Sequence, residues 1–176
     1  MPPQSVNAYY SATGNEIVFP AGILQAPFFD ANADEAVNFG VFEAVAGHEV
    51  SHAFDDWGSQ YDSEGVLKDW WTPQDAAEYE KRLEVIVDQA SRHHVNGYPV
   101  DGELTKGENI ADLGGIQLAL RALRSQPDCD ASARIDGWSP VQRLFLAWAQ
   151  GWRQNITPES SRYELDWSLH APTELR

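Results

Sequence analysis

A chain of 176 residues is long enough for one domain with a real core, and 43% hydrophobic content with seven Trp and seven Phe excludes a disordered segment. A formal charge of −15 excludes nucleic acid and anionic membrane as partners, since both would repel it. With Cys129 as its one cysteine, it can form neither an intrachain disulfide nor a cysteine-based metal site.

No apolar run reaches the roughly 18 residues that a membrane span needs. The opening MPPQSVNAYY has neither the basic nor the apolar region of a signal peptide. The single cysteine and this start favour a cytoplasmic setting.

The first predicted element is a hairpin. Tyr9-Tyr10 and Ile17-Val18-Phe19 favour strands, and SATGNE between them is turn chemistry. Pro20 and Pro27 then bracket AGILQA and keep it from becoming a long helix. From Asp34 to Asp55 the apolar spacing turns helical, with Val37, Val41, Val45, His48 and His52 on one face. WGSQYDSEGVLKDWW reads as an exposed hairpin or loop around DSEG. A second helix runs from Thr72, a good N-cap followed by Pro73, to about His93. VNGYPVDGELT reads as loop, a third helix covers Gly107 to Ser125, and a fourth follows the Ser139-Pro140 cap. The tail from Ile156 reads as irregular, His93 and His94 as solvated, and Cys129 as incidental in a polar loop. The fold class expected is α+β, mostly α, as a single domain over 1–176.

The chemistry begins in EAVAGHEVSHAFDD. His48 and His52 lie one helical turn apart, so both imidazoles can converge on one ion, and Glu49 sits beside that face as a general base. The position where an H-E-x-x-H-x-x-G-x-x-H pattern needs its third His is Gly58, which excludes that class. A carboxylate is the expected third ligand of a catalytic site. KGENIADLGG supplies it: Glu108 would complete a zinc site, and Asp112, one turn on, would accept from the other ring nitrogen of a ligand His. Gly114-Gly115 cost helix stability, roughly 1 kcal/mol each, which a surface helix would not repay but close helix packing would.

VNAYYSATGNEIVFPAGILQAPFF, GHEVSHAFDD, the Trp70-Trp71 pair, GENIADLGG and the closing HAPTELR, in that order, resemble the neprilysin/endothelin-converting enzyme (PepO-like) family of zinc metallo-endopeptidases. The likeness runs from Val6 to Arg176. It implies a thermolysin-like zincin catalytic domain, with one Zn²⁺ held by His48, His52 and Glu108. Glu49 would take the proton of a zinc-activated water, and Asp112 would support a ligand. The resemblance alone assigns His170 to the oxyanion and Arg176 to the carbonyl after the cleaved bond. It also assigns Asn7 and Ala8 to the backbone of an extended peptide substrate, and Phe28, Val45 and Trp152 to a pocket for a bulky apolar residue. For those last three, plain core packing is the competing reading. Where the family carries Asp two residues before His170, this chain has Ser168, and Asp166 is the candidate replacement.

Members of that family are several times longer and carry a large helical lid domain. The expectation is therefore a partial catalytic domain with exposed apolar surface and a tendency to self-associate. The alternative function is a zinc-binding but inactive fragment acting only through association.

Overall fold

The computed structural model describes residues 1–127 and 129–176. Near the start, β1 (Tyr9–Ser11) and β2 (Glu16–Val18) form the expected antiparallel hairpin, with Tyr10 opposite Ile17. Its turn places Asn15 at φ 44°, a conformation that Asn tolerates, and the Tyr10 hydroxyl donates to Asn15 Oδ1 at 3.0 Å. Between the two prolines only a 3₁₀ turn forms, Ala21–Ile23.

The helix expected over 34–55 is not one rod. It comprises α1 (Glu35–Asn38), a π turn (Phe39–Glu43), α2 (Ala44–Ser51) and a 3₁₀ turn (His52–Phe54). The wider turn shifts which residues face inward, an adjustment that apolar spacing does not reveal. After it come a 3₁₀ turn (Gly58–Gln60) and a bridge between Tyr61 and Leu67.

Thr72 caps α3 (Pro73–Ser91) by accepting from the Asp75 N–H. The segment read as loop holds a second hairpin, β3 (His94–Val95) with β4 (Tyr98–Pro99). Asn96 and Gly97 turn it at φ 53° and 84°, the pair of left-handed residues that a type I′ turn requires. α4 spans Gly102–Ser125, starting before the expected Gly107, because Asp101 accepts from the Leu104 N–H and caps it there. α5 (Pro140–Gly151) begins with a capping box between Ser139 and Gln142. The tail expected to be irregular carries a sixth helix, α6 (Pro158–Trp167), capped by Thr157. Among the described residues no helix is long and apolar enough to cross a membrane.

Among the described residues, α2 and α4 share the most extensive contact of any two elements. Their contact is backbone on backbone: a methyl group on Gly115 would collide with the Ala44 carbonyl oxygen and the His48 nitrogen. That approach explains the paired glycines of LGG. Around it Ala36, Ala44, Ala119, Leu123, Leu144 and Trp148 form a core joining α1, α2, α4 and α5. Cys129 packs against this core, so its position is less incidental than a polar loop implies. Ala90, Val95, Val100 and Leu165 dock α6 on the end of α3 and the second hairpin.

Candidate active site

The α2–α4 contact brings the two halves of the metal motif together. His48 Nε2 and His52 Nε2 lie 2.9 Å apart. Glu108 Oε2, from α4, lies 3.1 Å from the first and 3.6 Å from the second. The other ring nitrogens are taken. His48 Nδ1 donates to Asp112 Oδ1 at 2.8 Å, and His52 Nδ1 donates to Asp55 Oδ2 at 2.6 Å. Each carboxylate thereby fixes the tautomer, leaving a lone pair on Nε2. At 2.9 Å the two Nε2 atoms need a proton or a cation between them. Glu108 Oε2 is also buried, and the polar atoms beside it are the ring nitrogens of His48, His52 and His170. Two imidazoles and one carboxylate oxygen suit zinc by type and spacing, so the residues fit the metal that the motif implies.

Asp55 escaped the sequence reading. Its Oδ1 accepts from the Trp57 and Gly58 N–H groups at 2.8 and 2.7 Å, so the turn after α2 holds it rigidly under His52. The available signal is a carboxylate three residues beyond His52, where the helix ends. A side chain on Gly58 would collide with the His52 carbonyl, so this position could not take a further ligand without moving the turn.

Electrostatics follow from this crowding. Burial works against a charged His48 ring, but hydrogen bonds to Asp112 and Glu108 prevail and push it up to about 9. A metal arriving at neutral pH must therefore displace a proton. Glu108 is held well below the usual carboxylate range; burial opposes this, and hydrogen bonds from His170 and His48 outweigh burial. Glu49, 5% exposed, is shifted the other way, above the usual range, chiefly by burial. It lines the same cleft as His48, His52 and Glu108, a cavity of about 570 Å³.

Both Asp112 oxygens are engaged by Arg176, through Nε at 2.7 Å and Nη2 at 2.7 Å, and Arg176 lies over the Trp152 ring at 3.8 Å. The guanidinium thus stands behind Asp112, and Nη1 is its nitrogen with no partner among the described residues. Asn7 and Ala8 line the cleft just before β1, and the Asn7 side chain accepts the Ala8 N–H at 3.0 Å. Phe28, Val45 and Trp152 do two things at once. They line the cavity, and they pack with Ala8 and Ile23 as a small core, Phe28 meeting Trp152 edge-on at 6.0 Å.

His170 Nε2 reaches Glu108 Oε2 at 3.1 Å with its side chain 46% exposed. Among the described residues, the Ser168 hydroxyl accepts only the His170 backbone N–H, at 3.1 Å. Asp166 does not replace the missing Asp, because it pairs with Arg162 on α6 at 3.0 Å.

The chain is similar to several known proteins. Endothelin-converting enzyme 1 of Homo sapiens is 46% identical over 179 residues, covering 100% of this chain and 23% of that protein. Neprilysin-3 of Drosophila melanogaster is 41% identical over 180 residues, with 100% and 23% covered. Among solved structures, the Mycobacterium tuberculosis zinc metalloprotease Zmp1 in complex with inhibitor superposes with a TM-score of 0.93 at 44% identity, over 98% of this chain and 27% of that one. PepO from Lactobacillus rhamnosis gives 0.89 at 37%, over 99% and 26%. The chain spans about a quarter of the length of these relatives. A model of peptidase family M13 matches residues 7–176, and with these identities across the whole chain it follows that the protein belongs to peptidase family M13.

Proposed function

We propose that this chain is the catalytic region of a zinc-dependent endopeptidase that hydrolyses oligopeptides. The observation that carries the reading is the convergence of His48 Nε2, His52 Nε2 and Glu108 Oε2 within 2.9–3.6 Å, each imidazole held by its own carboxylate. These three residues would hold one zinc per chain, which when bound supplies Lewis acidity toward a carbonyl and acidifies water.

The chain's own groups do the rest. Glu49, a buried base with a raised pKa, takes the proton from the attacking water and delivers it to the departing amine. His170 donates to the negative charge that develops on the carbonyl oxygen, a contribution of about 3 kcal/mol for a well-placed group. Asp112 orients His48, and Arg176 holds Asp112 while offering Nη1 to the carbonyl after the cleaved bond. Asn7 and Ala8 lead into β1, whose far edge has no strand partner among the described residues, and an extended peptide would pair there. Phe28, Val45 and Trp152 favour a bulky apolar residue after the cleaved bond.

The test is zinc stoichiometry together with cleavage of an internally quenched peptide by the native chain and Glu49→Gln. We expect one zinc in both and a kcat/KM at least about 100-fold lower in the variant. Equal cleavage by the two would remove Glu49 from the mechanism. Zinc binding without cleavage in either would leave a metal-binding chain that acts only through association.

A further inference from the structure

The cleft carries opposite charges at its two ends. Val45 lies on α2 three residues before His48, and Asp56 lies four residues after His52, beyond the end of that helix. The apolar pocket of Val45 and Trp152 is therefore on one side of the two imidazoles and Asp56 on the other. All of them line one cavity. At the pocket end stands Arg176, over the Trp152 ring at 3.8 Å. At the other end Trp57 and Gly107 line the cavity beside Asp56.

The Asp56 carboxylate is uncommitted, unlike that of its neighbour Asp55, both of whose oxygens are bonded. The Asp56 backbone carbonyl accepts from Gln60 Nε2 at 2.8 Å. Among the described residues, no donor and no cation bonds its side-chain oxygens. The carboxylate lies against the bare backbone of α4, where a methyl group on Gly107 would come within 2.6 Å of Oδ1. The lysines near this end are taken, Lys106 by Glu103 at 3.1 Å and Lys68 by Asp62 at 3.4 Å. Asp56 also lines a second cavity, of about 410 Å³, together with Lys68, Asp69 and Glu80. With Lys68 paired, the charge around that opening is negative.

We propose that Asp56 selects a lysine or arginine side chain on the N-terminal side of the cleaved bond. This rests on the peptidase reading above, with the Val45 pocket taking the residue after that bond. A cationic head group meets a carboxylate that has no competing partner, so no existing ion pair has to break. The Trp57 indole, 64% exposed, offers the aliphatic stem a surface to lie on. A glutamate in the same place meets Asp56, Asp69 and Glu80 and is repelled. Asp56 thereby sets specificity and takes no part in breaking the bond.

Internally quenched peptides of one sequence test this, carrying Lys, Gln or Glu at each of the two positions before the cleaved bond. Mass spectrometry locates that bond in every product. For the full chain loaded with zinc we expect kcat/KM about fivefold higher for Lys than for Gln at one of these positions, the scale of one accessible ion pair. Glu is the poorest of the three there. The Lys-to-Gln ratio falls to about 1 in Asp56→Asn, and Asp56→Lys favours Glu instead. In the native chain, about 0.5 M salt shrinks the ratio. Cleavage of the Gln peptide with no gain for Lys at either position would overturn the proposal and leave the peptidase reading standing. So would a ratio that survives in Asp56→Asn. An equal gain from Lys placed after the cleaved bond would also overturn it, tracing the preference to the net charge of the chain. A native chain that cleaves none of the peptides overturns both readings. The positional comparison in the native chain decides even if a variant does not fold.

Discussion

Asp55 shows how much of the behaviour of His52, a proposed zinc ligand, is set by the residue behind it. Its two oxygens divide their work, one accepting from His52 Nδ1 and the other from two backbone N–H groups of the following turn. Asp55→Ala removes the acceptor that fixes the His52 tautomer, and zinc affinity should fall about 10- to 100-fold. Competition against a chromophoric chelator measures this, and an unchanged affinity would show that His52 is held by packing alone. The sequence places His48, His52, Glu108 and Asp112 on matching helix faces because an i, i+4 spacing states its geometry. Asp55 was hidden because its contact forms where the chain leaves the helix, and no helical repeat describes that turn.

At the scale of elements, the π turn ahead of α2 carries a cost. Glu43, at its end, has a buried Oε2 with no hydrogen-bond partner, and its pKa is raised chiefly by burial. A carboxyl whose folded pKa lies above its unfolded value lowers stability when ionised. The cost is fully present above the folded pKa and disappears as pH falls below the unfolded one. Glu43→Gln should therefore raise the stability at pH 7 by about 1 kcal/mol, with the gain shrinking as pH is lowered through that window. Thermal unfolding from pH 4 to 8 measures it, and a gain that grows in acid would contradict it. The same scale separates what the sequence reveals from what it hides. α3 and α5 announce themselves through Thr72-Pro73 and Ser139-Pro140. α6 has the same signals in Thr157-Pro158, but only Ser161 and Leu165 are buried along it, too little for an apolar stripe to register. The second hairpin hides for a related reason. Its strands are two residues each, so only Asn96-Gly97 marks it.

Over the whole molecule, surface and charge oppose each other. Phe54, Trp57, Leu67 and Trp70, all in the stretch after α2, are 51%, 64%, 66% and 44% exposed. Aromatic surface of this kind favours association, while the net charge of −15 keeps copies apart. Sedimentation velocity should show a chain that is monomeric at low ionic strength and self-associates as salt screens the repulsion. A sedimentation coefficient independent of salt and protein concentration would refute this. The seam between Gly115 and the Ala44–His48 backbone has a consequence of another kind. Most helix pairs meet through side chains, which absorb small displacements by changing rotamer. Here main chain rests on main chain, with nothing compliant between them. Glu108 rides on one helix and both imidazoles on or directly after the other, so a slide of α4 along α2 passes undiminished into the donor spacings. The seam acts as a caliper, and the cluster of His48, His52 and Glu108 reads the distance between its jaws.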